Sequence, residues 1–198
     1  MHPTDTFRND DRELHEAVMA AYPFALVFAP TPHGPRVAHT PVLSTGDGAL
    51  QFHLARSNAL TEHIEGQTVL VTFNGPHGYV SPRWYDGGDK VPTWNYIALE
   101  CEGRVRRMHE EGLVAFLEEL GRREEARIAH GTPWNMTEIA DRTWASLLPG
   151  IVGFELEIAD RRETFKLSQN KPADDRAHVA AGLRAEGNRA LADWIIPE

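Results

Sequence analysis

The sequence predicts an α+β protein built on an antiparallel β-barrel with peripheral helices, and three observations carry that reading. Short β-favouring runs follow one another across tight turns or short helical pieces, without the regular strand–helix–strand alternation of a parallel sheet. A single strong helical pattern separates the early strands from the late ones. Hydrophobic residues at 41% and charged residues at 25% of 198 residues are those of an ordinary globular chain.

In chain order, Leu14, Ala17, Val18 and Ala21 recur at helical spacing, and Pro23 turns the chain out of that first helix, placed over 10–21. Phe24 to Ala29 and Arg36 to Leu43 read as paired strands about a Pro- and Gly-containing turn. Ser44-Thr45-Gly46-Asp47-Gly48 then turns the chain into Ala49 to Ala55, where Leu50, Phe52 and Leu54 alternate with Gln51 and His53. Ser57 is placed to cap a short helix running through Ile64 to Gly66, and Gln67 to Phe73 resumes as a strand. Trp94 to Val105 is a further long strand.

From Glu110 to Ile128 the residues Leu113, Phe116, Leu117 and Leu120 keep helical spacing, with acidic residues early and arginines late, as the helix dipole favours. A shorter helix is expected from Thr137 to Leu147, ended by Pro149-Gly150, then strands over Ile151 to Ile158 and Glu163 to Leu167. The tail from about 174 to 198 reads as helical. No repeat or composition shift marks a boundary, so one domain over 1–198 is expected.

The composition also excludes functions. A net charge of −9 argues against a surface that neutralises nucleic-acid phosphates, leaving only local groups such as Arg104, Arg106 and Arg107. The one cysteine, Cys101, cannot form an internal disulfide, and no signal-peptide pattern opens the chain; a cytoplasmic setting is expected. The longest apolar runs are too short to span a bilayer. Neither a dinucleotide glycine fingerprint nor a P-loop is present, and zinc-ligand and serine-hydrolase motifs are absent too, so no metal site and no catalytic residue is assigned.

Three segments could carry chemistry. Arg56-Ser57-Asn58 stands where a strand meets a helix start, and a phosphate there could take a guanidinium, a hydroxyl and amide N–H groups together; equally, Ser57 could cap the helix with Arg56 in solvent. The aromatic stretches from Gly78 to Tyr85 and from Val91 to Tyr96 could wall a planar ring system or fill a barrel end. In Lys166-Leu167-Ser168-Gln169-Asn170, strand alternation would put Lys166, Ser168 and Asn170 on one face able to hold an anion, although Ser168 and Asn170 also suit a turn.

At these segments the chain resembles the PaiB family of FMN-binding negative transcriptional regulators. The matching residues are Ala38-His39-Thr40-Pro41, His53-x-Ala-Arg56-x-Asn58, Ser81-Pro82-Arg83-Trp84-Tyr85, VPTWNY at 91–96, Gly150-Ile-Val-Gly153-Phe154-Glu155 and KLSQN at 166–170. The resemblance implies a split barrel of the pyridoxamine-phosphate-oxidase type, a homodimer, and FMN in clefts formed by both subunits. It makes Arg56, Ser57 and Asn58 the expected phosphate ligands. It further places His39, His53, Ser81 and Trp84 near the flavin, with Trp94, Asn95, Lys166, Gln169 and Asn170 completing or bracing the cleft. Where the family often continues with Asn-Pro and a Trp, this chain has Asn58-Ala59-Leu60.

Functionally, the resemblance implies a negative transcriptional regulator. The acidic charge and the lack of a helix-turn-helix signature favour an indirect effect over direct operator reading. The alternatives are an FMN-dependent oxidoreductase acting on a small molecule, with His39 or His53 shuttling a proton, and a haem-binding split barrel with a histidine as iron ligand.

Overall fold

Six strands follow the first helix, and each begins where the chain stops alternating turn residues and starts alternating buried with exposed ones. The computed structural model describes residues 2–196. Its elements are α1 (Arg12–Ala21), β1 (Phe24–Thr31), β2 (Gly34–Ser44), β3 (Ala49–Ala55), β4 (Thr68–Val80), β5 (Thr93–Arg107), α2 (Glu110–Glu125), α3 (Asp141–Leu147), β6 (Ile151–Lys166), α4 (Ala173–Ala185) and α5 (Arg189–Ile195). The strands close in the order β1-β2-β3-β6-β5-β4. Closure leaves no sheet edge to recruit another chain.

The chain divides into two compact units, one of residues 16–73 and 100–161, the other of residues 2–15, 74–99 and 162–196. The first holds β1 to β3 and parts of β4, β5 and β6. Val27 faces Val71 where β1 meets β4, and Phe52 faces Phe154 where β3 meets β6, with ring centroids 5.7 Å apart. The inward residues Leu50, Phe52, Leu54, Val69, Val71, Phe73, Val105, Phe154 and Leu156 are all buried, as period-two alternation requires of a filled barrel. Gly103 permits the closest approach: a Cβ there would lie 1.9 Å from the Glu157 carbonyl oxygen. Cys101 is fully buried, and that burial pushes its thiol up to about 11.

Helix α2 covers part of the barrel's outer face. Leu113 and Phe116 pack with Leu43, and a Cβ on Gly153 would meet Leu113 at 3.1 Å, so glycine sets the helix-to-strand spacing. Glu110 and Glu111 open the helix and Arg122 and Arg123 close it, each end complementing the dipole. Arg122 and Arg123 both donate to Glu119, and these bonds hold its carboxyl down at about 2.

In the second unit, Val179, Leu183, Leu191 and Ile195 of α4 and α5 pack against Val80 and Tyr85. The Trp84 ring fills the space above Gly182, where a Cβ would come within 2.5 Å of it. Asn188 ties α5 to β4: its Nδ2 donates to the His77 carbonyl at 2.9 Å while its Oδ1 caps the Leu191 amide.

Four boundaries differ from the sequence expectation. Residues 56–66 form consecutive turns and not a helix, because Asn58 Oδ1 takes the Leu60 N–H and Thr61 Oγ1 donates to the Ala55 carbonyl, diverting the groups a helix would need. Strand β4 runs on past Phe73 to Val80, since Gly75 and Gly78 let Ile97 and Leu191 close over the backbone. The two late strands are one, β6. The helix expected from Thr137 splits into a 3-10 turn at Met136–Glu138, capped by Asn135, and α3. Near the C-terminus α4 and α5 occupy Ala173–Ala185 and Arg189–Ile195; Pro197 and Glu198 of the expected helical tail lie outside the described residues.

Candidate functional site

The expected site residues fall into two groups, one in each unit. In the barrel unit, the turn after β3 presents Arg56 and Ser57 to solvent with Asn58 half-buried. Arg56 is held at its root: its Nε donates to the Pro149 carbonyl at 2.7 Å and its amide to the Gly150 carbonyl at 2.8 Å. Both terminal guanidinium nitrogens stay available to an incoming anion. Among the described residues, no acceptor stands against the amide N–H groups of Ser57 and Ala59.

This turn borders a cavity of about 330 Å³ whose wall includes Arg36, Arg56, Ser57, Asn58, His33 and His63. Arg36, His33 and His63 were not among the residues the sequence singled out. They come from the tip of the β1–β2 hairpin and from within the turn, which no local motif connects. Two guanidiniums, two imidazoles, a hydroxyl and free amide donors form a donor set suited to a phosphate dianion, opposed by one carboxylate, Glu62. The volume lies at the low end of the roughly 300–1,000 Å³ of small-molecule sites. It suits a phosphate and the start of its polyol chain, not a three-ring system.

His39 and His53 both leave the barrel interior. His39 is exposed on β2, its ring 6.4 Å from that of Phe24. His53 is half-buried on β3, 5.8 Å from the Phe116 ring, and its Nδ1 has no hydrogen-bond partner. Burial pushes its pKa below the ordinary histidine value, so the ring is neutral at neutral pH.

The second group is largely bound up internally. Ser81 is buried, and its Oγ accepts from the Arg83 amide at 3.3 Å and from Arg83 Nε at 3.2 Å, capping the turn that carries Trp84. Asn95, 1% exposed, donates to Ser168 Oγ at 2.8 Å, leaving its Oδ1 unpaired. Lys166 Nζ donates to Thr93 Oγ1 at 2.5 Å, with its pKa lowered by desolvation. Gln169 Nε2 donates to the Thr6 carbonyl at 3.1 Å and to the Phe165 carbonyl, and Asn170 is exposed. The common face expected of Lys166, Ser168 and Asn170 does not form, because β6 ends at Lys166 and Ser168 takes φ 60°, outside strand geometry. Trp94 stands open at 55% exposure with Tyr79 and His77 beside it, an aromatic surface on β4 and β5.

A closed antiparallel barrel with flanking helices, carrying a cationic turn after β3, places the chain in the class of split-barrel proteins. Residues 1–160 match the family described as "Putative FMN-binding domain", and the chain belongs to that family; its cofactor is FMN. The chain is 33% identical over 137 residues to protease synthase and sporulation protein PAI 2 of Bacillus subtilis, covering 69% of this chain and 65% of that protein, so the match spans less than two thirds of this relative's length. It is 32% identical over 191 residues to an uncharacterized protein of Emericella nidulans, covering 80% of this chain and 76% of that one. Among solved structures, the FAD and heme binding protein of Mycobacterium smegmatis superposes with TM-score 0.61 at 16% identity, covering 88% of this chain and 79% of that one. The flavocytochrome Anf3 of Azotobacter vinelandii does so with TM-score 0.59 at 19% identity, covering 88% and 80%. At these identities the two structures establish the split-barrel fold alone. Among the described residues no helix is long and apolar enough to cross a membrane, and no group of three His, Cys, Asp or Glu could hold a metal.

Proposed function

We propose that residues 1–198 act as one FMN-binding domain in a cytoplasmic homodimer that carries out redox chemistry on a small molecule, and that any negative effect on transcription follows from that chemistry. The observation that carries the reading is the cationic turn at Arg56 in a chain of net charge −9: a local concentration of donors against an acidic background suits one small anion, not a nucleic-acid backbone. Arg56, Ser57 and Asn58, with Arg36 and His63, would hold the FMN phosphate. Bound there, FMN supplies hydride and electron transfer, the reactive ring being the cofactor's own contribution.

The protein's part is to bind and orient. Pro149 and Gly150 hold Arg56 at its Nε and amide, so that its terminal nitrogens meet the phosphate with little ordering cost. The small volume of the cavity, about 330 Å³, supports a second subunit that would wall the flavin, and Trp94 is an exposed aromatic residue available for such a contact. His39, exposed on β2, is the candidate to move a proton at its imidazole nitrogens, whereas neutral His53 packs against Phe116 of α2. The remaining family positions, Ser81, Trp84, Asn95, Lys166, Gln169 and Asn170, belong to the second unit, where Ser81, Asn95, Lys166 and Gln169 are engaged in internal hydrogen bonds.

The test is a fluorescence titration of apo-protein with FMN and, in parallel, with riboflavin, followed by a nicotinamide reductant added to the FMN-loaded protein. Binding of FMN at least tenfold tighter than riboflavin, with bleaching of the bound flavin, is expected. Equal binding of both would overturn the phosphate site. A spectrum of haem and not flavin in the purified protein would favour the haem alternative.

A further inference from the structure

The segment between α2 and β6 is tied down but buries almost nothing. Glu125 accepts the Trp134 amide N–H at 3.0 Å, the Trp134 ring lies 3.7 Å from where a Cβ on Gly121 would stand, and Arg127 donates to the Ala20 carbonyl. Asn135 and Glu138 cap each other's backbone. At the far end the Pro149 carbonyl is bound by Arg56. Yet no residue from 127 to 147 is buried, and α3 contributes no buried side chain. Ile128 is 60%, Trp134 42% and Leu147 62% exposed. A helix of seven residues does not hold in water on its own propensity, so α3 requires a surface to lie on.

The same unit carries a second uncovered apolar surface. Phe24 (64% exposed) and Phe28 (37%) of β1 and Val37 (41%) of β2 face outward, with Phe28 and Val37 directly paired. The Arg127–Ala20 bond sets the root of the segment beside the start of β1, so the two surfaces adjoin.

We propose that residues 128–148 form an arm that lies across the outer β1–β2 face of a second copy of this chain. The proposal rests on the homodimer reading above and says how the dimer is built. A two-fold operation places each arm on the other's strand face, covering both apolar surfaces twice with one contact type. Taking about 200 Å² for each large side chain, the exposed fractions amount to on the order of 600 Å² of apolar surface per copy, against the ~800 Å² per partner of a stable interface. Because the arm ends at Pro149, which anchors Arg56, pairing would brace the phosphate site.

The experiment is sedimentation equilibrium of the full chain and of Leu147→Asp, with circular dichroism as the fold control. The expected result is a wild-type dimer and a variant with unchanged dichroism that dissociates at least tenfold more readily. A variant as dimeric as the wild type would overturn the arm while leaving the homodimer standing; a monomeric wild type would overturn both. Should Leu147→Asp fail to fold, mixing Val37→Cys and Leu147→Cys chains decides: a disulfide between the two copies is expected, whereas no more cross-link than Val37→Cys gives with Asp47→Cys would refute the arm. Cys101 is fully buried and stays out of this exchange.

Discussion

Replacing Arg56 by alanine should weaken FMN binding while leaving riboflavin binding almost unchanged. Hydrogen bonds to a charged group contribute about 1.5–3 kcal/mol where water is excluded. Arg56 is exposed, and solvent and salt screening cut that contribution. A net loss of about 1.5–2 kcal/mol follows, which is roughly a 10- to 30-fold rise in Kd at low ionic strength. Arg56→Lys keeps the charge but loses both the planar fork and the Nε bond to Pro149, so its loss should fall between alanine and wild type. The assay is flavin fluorescence quenching at two salt concentrations, with the wild-type advantage shrinking at the higher one. Two results would refute the reasoning: an FMN affinity unchanged in Arg56→Ala, or an equal loss for FMN and riboflavin. The second would mean that the substitution disturbs the fold around Gly150 and not a phosphate contact.

Three further outcomes follow from the packing. Gly103→Ala sets a Cβ 1.9 Å from the Glu157 carbonyl, a backbone clash that side-chain movement cannot relieve; a cost of at least about 3 kcal/mol and a melting temperature lower by roughly 6–12 °C are expected by thermal denaturation. Asn95→Ala strips Ser168 of its buried donor and should cost about 1–3 kcal/mol in urea unfolding while leaving FMN affinity within twofold, whereas a large affinity loss at full stability would make Asn95 a flavin ligand. Cys101 holds its proton in the folded chain up to about 11, against 9.0 for an ordinary thiol, so the unfolded chain ionises first. The stability from the neutral thiol is therefore complete below pH 9 and falls between pH 9 and 11 by about 1.4 kcal/mol per unit, a slope that Cys101→Ala should lack in urea titrations.

Most of the barrel was legible because its cause is local. Leu50, Phe52 and Leu54 alternate with polar neighbours, a period that a strand buries on one face and a helix does not; Leu113, Phe116, Leu117 and Leu120 mark a helix in the same way by helical spacing. The misread boundaries each turn on something periodicity does not record. Asn58 and Thr61 are polar residues in a helix-like pattern, and their side chains win the backbone groups that the pattern assigns to the helix. Gly75 and Gly78 look like strand breakers, but they are small because Ile97 and Leu191 need the room.

The cationic cavity shows the limit from the other side. Arg56 is readable because it follows a strand with a hydroxyl and an amide beside it, but Arg36 and His33 belong to it only through the closure of the β1–β2 hairpin against the turn at 56–63. A motif marks positions whose side chains matter without saying what they touch. KLSQN and VPTWNY meet this ambiguity directly: Asn95 spends its amide on Ser168 and Lys166 its ammonium on Thr93, bonds that tie the start of β5 to the end of β6. Side chains already committed to one another can bind a ligand only by giving up a buried bond, whereas the terminal nitrogens of Arg56 lose only water. On the proposed reading phosphate recognition therefore falls to the exposed turn, while the two signatures tie β5 to β6 within the second unit.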